Sequence, residues 1–265
     1  MHPHASRMSP HPAPWAASCA GALLGAVIGM LLFAPARWLS AAVERASAER
    51  VQWQHVGGRV WDGYGQLALR DGASALQTST LPGIVRWSIR PQWDGLAVSL
   101  SADCCTPAPL QLMLNIGWDG TSLALSDGTS QWPAELLSGL GAPWNTVRPQ
   151  GSLRLQSQQL RLHLAQGRWQ LAGTLQLDAM DMSTRLSPLV PIGSYRLRVT
   201  GGAINTVELS TIRGSLELSG HGQWVHDTLR FQGQAQAAAG FEETLGNLLN
   251  VIGTRQGAQS RISLG

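Results

Sequence analysis

Chemistry in this chain would have to come from a short list of side chains: adjacent Cys104 and Cys105, His221 and His226 five positions apart, and 16 Asp and Glu spread over 265 residues. A bond between neighbouring cysteines closes a very tight ring, outside ordinary disulfide geometry. Two thiols, free or buried, are therefore expected, with intermolecular pairing as the alternative. Cys19 reads as an apolar filler. On an extended strand His221 and His226 point to opposite faces, so one strand could not present both to a metal unless Gly222 and a turn near Asp227 alter that geometry. His2, His4 and His11 lie in a Pro-rich tail expected to be disordered. Most carboxylates have turn or helix-end explanations: Asp62, Asp71, Asp94, Asp119 and Asp127 each precede Gly, and Glu242 and Glu243 open an apolar helix pattern. No Gly-x-Ser-x-Gly elbow, His-Glu-x-x-His helix or phosphate-binding loop occurs. The sequence calls for no catalytic residue, no cofactor and no metal site, and the chain is not expected to be an enzyme.

The elements that must position these residues begin with an apolar segment. Charged residues are 13% of the chain, and all 19 basic ones are Arg. They are dispersed without a basic-aromatic cluster, so no nucleic-acid partner is expected. From Met8 to Ala36 no side chain is charged, and Trp15 to Ala34 is a continuous apolar run. At about 1.5 Å per residue this run matches the ~30 Å hydrocarbon core of a bilayer. Trp15 and Trp38 sit where interfacial aromatics belong. Ala34-Pro35-Ala36 offers a cleavable signal peptide as the alternative. The apolar stretch is longer than such peptides need, and Pro35 suits a cleavage site poorly, so an uncleaved signal anchor is the reading. Gly21, Gly25 and Gly29 share one face of that helix and would let another helix, including a second copy of the chain, approach closely. Arg37, Arg45 and Arg50 follow the span while only Arg7 precedes it, so the positive-inside rule alone would leave the large domain in the cytoplasm.

Beyond the anchor the pattern turns to short alternating segments. Ala41 to Val56 reads as a short amphipathic continuation. From Gly57 the Asp-Gly pairs predict tight hairpins. Trp61, Trp93 and Trp118 head Trp-Asp-Gly triplets and are expected as strand-end aromatics packing beside a turn. Leu153, Leu155, Leu160, Leu162, Leu164, Leu175 and Leu177 alternate with polar residues, and the alternation returns through Leu197, Leu209, Leu218 and Phe231. Period two gives antiparallel strands with one apolar and one wet face, the latter carrying Arg161, Arg196 and Arg198. Short helices are predicted at 133–140 and 241–252, the second with Phe241, Leu245, Leu248, Leu249 and Ile252 on one stripe. The expected organisation is a disordered cytoplasmic tail 1–14, a transmembrane anchor 15–34, a linker 35–56 and a mostly β domain 57–265.

One segment is more specific. Leu140 to Leu153 packs Gly141, Pro143, Asn145, Thr146, Pro149 and Gly151 into a fixed turn-forming spacing. It resembles the central signature of the type II secretion system protein N (general secretion pathway protein N) family. The resemblance extends in order from Gly58-x-Val60-Trp61-x-Gly63, through Arg185 to Tyr195 with Pro191 and Gly193, to Gly220 to Trp224, Leu229 to Gly233, and Leu245 to Gly253 with Leu248 and Leu249. Cys104-Cys105 lies outside that pattern. These motif positions read as structural. The resemblance implies a non-enzymatic inner-membrane protein of Gram-negative bacteria whose periplasmic domain works with other type II secretion components in protein export. That family in turn looks distantly like AsmA-type periplasmic proteins, whose sheets curl into half-pipes. This implies a curved sheet and a rival function, an envelope protein with an apolar groove for a lipid ligand. The rivals differ in whether Leu162, Leu197 and Leu218 are covered by a second layer.

Overall fold

The computed structural model describes residues 14–71, 78–118, 120–165, 167–225 and 228–264, without the side chains of residues 14, 16, 17, 165, 168 and 264. His2, His4, His11, Asp119, His226, Asp227 and most of the expected tail 1–14 lie outside the described residues.

Helix α1 (Pro14–Leu32) carries no charged residue. Among the described residues no helix is long and apolar enough to cross a membrane, in contrast to the span expected at 15–34, and α1 ends at Leu32. Pro35, extended at φ −70, separates α1 from α2 (Ala36–Ala46). The stretch expected as a linker is ordered: α2 turns Ala36 and Ser40 inward, and β1 (Val51–Gly58) already belongs to the sheet.

The sheet continues with β2 (Asp62–Arg70), β3 (Thr78–Thr80), β4 (Val85–Gln92), β5 (Gly95–Ala102), β6 (Leu110–Gly117), β7 (Gly120–Leu125) and β8 (Gly128–Pro133). A 3-10 helix (Ala134–Leu140) and the one-turn α3 (Trp144–Val147) interrupt it. Then come β9 (Gln150–Ala165), β10 (Arg168–Ser183), β11 (Gly193–Thr200), β12 (Thr206–Gly214), β13 (Leu216–Val225) and β14 (Thr228–Ala237). Helix α4 (Gly246–Ile252), β15 (Thr254–Gln256) and β16 (Gln259–Leu264) finish the chain. Among the described residues these 16 strands form one sheet, in the order β1-β2-β4-β5-β6-β7-β9-β10-β11-β12-β13-β14-β16-β15, with β3 added on β2 and β8 on β9.

Every neighbouring pair is antiparallel, so the turns alternate between two ends of the sheet. At one, the hairpin end, lie the short connections β1/β2, β4/β5, β6/β7, β9/β10, β11/β12 and β13/β14. At the other, the cap end, lie the longer segments around 71–84, 103–109, 134–149, 184–192 and 238–253.

Cross-strand partners share a face, and the register sorts the residues cleanly. Leu96, Leu114, Leu123, Leu162 and Leu171 form one row across five strands. Leu155, Leu177, Leu197, Leu209, Gly220, Gly233 and Ile262 form another. The polar face runs through Arg154, Asp178, Arg196, Ser210, Ser219, Gln234 and Arg261. The alternation of β9 survives a register shift opposite Gly173, where Gln159 takes φ 49. That bulge keeps Leu160, Leu162 and Leu164 on the side of Leu155.

Burial concentrates at the cap end. Leu153, Met182, Ile192, Tyr195, Leu216 and Ala235 pack against Ala134 and against Leu245, Leu248 and Leu249. A second cluster gathers Leu81, Val85, Ala102, Cys105 and Leu136. The 133–140 helix is present as the 3-10 turn after Pro133. The 241–252 helix is shorter than expected. Residues 242–245 wind in turns, Glu242 accepts from the Gly240 N–H, and an i→i+3 bond closes on Gly246, so regular helix starts only there. Its apolar stripe still faces the core.

Candidate interaction surfaces

The signature segments come together at the cap end. Asn145 donates its backbone N–H to Gly141, and Arg148, left-handed at φ 47, ends α3 with its N–H on Trp144. The Thr184 hydroxyl donates to the Val147 carbonyl and ties this turn to the 184–192 segment. Gly141 has φ +86, and a Cβ there would lie 2.2 Å from the Asp71 carboxylate. At Gly151, φ +131, it would lie 2.7 Å from the Met180 carbonyl. Both positions demand glycine on conformation and space. Pro149 is buried beside them, whereas Pro143 and Thr146 are exposed, Asn145 is half-buried, and Pro143 and Pro191 follow cis bonds. Gly193 makes room for the Tyr195 phenol, whose oxygen is 2.6 Å from where its Cβ would stand. Burial pushes the Tyr195 hydroxyl pKa up. Leu248, Leu249 and the phenol share one core, and Gly253 lets α4 return close to Arg261. Gly233 lies elsewhere, on the apolar face against the Phe231 ring.

Trp61 and Gly63 mark the junction with α1. Trp61 Nε1 donates to the Leu31 carbonyl at 2.7 Å, the Val60 N–H to Ala34 at 2.9 Å, and Arg59 lies over the Phe33 ring. Trp87 Nε1 donates to Val60, and Gly63 leaves space for that indole. Gly21, Gly25 and Gly29 have nothing within 4 Å.

Trp93 and Trp118 differ from expectation. Gln92 pairs with Gly95, so the β4/β5 turn residues are Trp93 and Asp94 and not Asp-Gly, and Gly120 pairs with Gly117 within the β6/β7 ladder. The reason at Gly95 is a close approach: a Cβ would sit 1.7 Å from the Leu114 carbonyl, so β6 requires glycine inside the strand. The register shift by one carries both indoles out to the tips, where they are fully exposed and pack against no turn. The Trp-Asp-Gly triplets carried the signal, but Asp-Gly is the stronger turn cue when read alone.

On the polar face Asp178 is buried and Arg196 grips it through Nε at 2.7 Å and Nη2 at 2.9 Å. Gln176 donates to the same carboxylate, and Arg198 donates to Gln176. The Arg196 hydrogen bond holds the Asp178 pKa below its ordinary value and raises that of Arg196. Of the three wet-face arginines, Arg196 and the exposed Arg198 are engaged within the sheet, and Arg161 is exposed. His221 stands opposite Glu208 and Gln232 on this face, in a shallow polar concavity of about 690 Å³. Among the described residues no three His, Cys, Asp or Glu are grouped as metal ligands. Cys104 and Cys105 are bonded to each other, contrary to the expected thiols. The turn that folds Cys105 and Thr106 N–H groups back onto the Ala102 carbonyl brings the two sulfurs together, and Cys105 is buried in the second core cluster.

On the apolar face Leu162, Leu197 and Leu218 are half-buried, and among the described residues no second sheet lies over them. The cap-end segments reach Leu218 and Leu177 but not the hairpin-end row of Leu114, Leu123 and Leu162.

Comparison with known proteins bears on the sheet as a whole. The family model for type II secretion system protein N matches residues 49–264, from just before β1 to the last residue of β16. No curated protein and no solved structure matches the chain. With four-fifths of its length matched, the chain belongs to the type II secretion system protein N family and is thereby an envelope-associated component of type II protein secretion.

Proposed function

We propose that this protein is a non-enzymatic secretion component, anchored in the inner membrane by α1 and acting through a periplasmic sheet that contacts other components of the export machine. The family match over the entire sheet carries this reading. The uncharged α1 joined directly to the β1/β2 turn supports the anchor, and the family supports a periplasmic location for the domain. The wet face, with Arg161 and Arg198 pointing outward, would supply polar contacts to partners. The Gly21, Gly25 and Gly29 stripe, unoccupied by any neighbour, would take a second helix.

A second reading is favoured by one observation, the half-buried Leu162 and Leu197, which the cap-end cores do not reach. A curved sheet would make that row an apolar groove for acyl chains, as in AsmA-like envelope proteins. Photo-crosslinking in the native envelope separates the two. Adducts to secretion components from probes at Arg161 and Arg198, with silent Leu162 and Leu197, support the export module. Phospholipid adducts from Leu162 and Leu197 support the groove, and the absence of protein adducts at Arg161 and Arg198 overturns the wet face as the partner surface.

A further inference from the structure

The hairpin end bears an unusual row of bare apolar side chains. Trp93 and Trp118 are fully exposed at the β4/β5 and β6/β7 tips. Ile116 and Trp169, on the strand ends next to the β6/β7 and β9/β10 turns, and Ile204, on the β11/β12 connection, follow at 64%, 54% and 60% exposure. The cap end instead buries its largest apolar cluster, Leu245, Leu248 and Leu249 above all, and leaves Val190 exposed. Indoles held out on two-residue turns are poor core elements and good interfacial ones, because the ring is apolar and its N–H needs a wet acceptor.

Helix α1 departs from this same end. Its C-terminal residues are joined to the β1/β2 turn by the Trp61, Val60 and Arg59 contacts, while its glycine face touches nothing in the sheet. Leu23, Leu24, Val27 and Leu31 are likewise more than half exposed. The β4/β5 hairpin reaches farther out than the root of α1. Ser88 stands opposite Asp62, and the strand continues to Gln92 before Trp93. Measured from Ile89, whose N–H donates to the carbonyl of Trp61 at the α1 contact, that is an overshoot of four residues, on the order of 14 Å at about 3.4 Å per residue.

We infer that the tryptophan-tipped hairpins form a membrane-docking rim. Trp93, Trp118 and Trp169 seat the hairpin end of the sheet in the interfacial layer of the bilayer that α1 enters. The inference rests on the anchor reading of α1 and adds a second attachment, through side chains that the secretion reading leaves unused. The rim would fix how the sheet leans on the membrane and turn the uncovered row of Leu114, Leu123 and Leu162 toward the lipid.

The test uses the full chain in vesicles of phosphatidylethanolamine and phosphatidylglycerol, with benzoylphenylalanine placed singly at 24, 93, 118, 169 and 190. Val190 is 80% exposed at the cap end and serves as the reference. Lipid adducts at the three tips about tenfold above position 190, together with adducts at 24, are expected for interfacial residues. Labelling at 24 with the tips no higher than 190 overturns the rim and leaves the anchor standing. No labelling at 24 overturns the anchor and the rim with it. Protein adducts at the tips in place of lipid assign them to a second copy of the chain and also overturn the rim.

Discussion

The two ends of the sheet are made from the same strands and do opposite things. At the cap end the long connections fold back over the apolar face, and Leu245 and Leu249 are fully buried. At the hairpin end the connections are too short to fold back, and Trp93 and Trp118 stand in solvent. Antiparallel pairing alternates the connections between the two ends, and the long ones, 71–84, 103–109, 134–149, 184–192 and 238–253, all fall at the cap end, so that end receives the chain needed to cover a core. Buried apolar side chains are therefore concentrated at the cap and exposed indoles at the hairpins. The residues on which the family resemblance was read follow this division: Gly141, Gly151, Gly193, Leu248 and Leu249 lie at the cap, while Trp61 and Gly63 lie where the sheet joins α1.

Substitutions can break this comparison. The largest effect is expected at Leu249→Ala, where removing a fully buried side chain should cost about 3 kcal/mol in denaturant unfolding of the full chain in detergent. Gly141→Ala comes next. It combines φ +86 with a collision against Asp71 and should cost about 2 kcal/mol. If either change proved as mild as a tip substitution, the cap would not be where stability resides.

Asp178→Asn on the polar face is expected to cost about 1 kcal/mol at neutral pH. The Asp178 pKa is lowered in the folded protein, so the unfolded chain binds the proton more readily. The carboxylate thus stabilises the fold above its ordinary pKa, and this contribution fades as pH falls through the depressed folded value. The difference between wild type and Asp178→Asn should shrink below about pH 4, measured as unfolding midpoints across the acid range. The smallest effect belongs to Trp118→Ala, whose unfolding should shift by less than about 0.5 kcal/mol because the indole touches no core. A larger loss would mean that the hairpin end carries folding energy and would blur the contrast between the ends.

Much of this was legible before any tertiary contact. The alternation of Leu153, Leu155, Leu175, Leu177, Leu197 and Leu209 with polar residues fits the observed rows, and the stripe through Phe241, Leu245 and Leu248 packs on the core. The family, too, was readable in the order of its motifs. Three features were not. The turn at Trp93-Asp94 depended on the close approach of β6 to Gly95. Residues 242–245 wound into turns because local hydrogen bonds by Glu242 and Glu243 competed with helix. The Cys104–Cys105 bond required the fold-back of the chain onto Ala102.

The sequence by itself determined a mostly β chain with one apolar and one polar face, an uncharged apolar helix in front of it, and its family. Each of these depends on side-chain period or local spacing, which a strand or helix expresses without help. Tertiary structure alone decided that the tryptophan-tipped hairpins lie at the end where α1 joins the sheet, that the cap covers only the other end, and which aromatics are left bare. Those outcomes depend on the register between distant strands, and a shift of one residue moves a side chain from core to solvent.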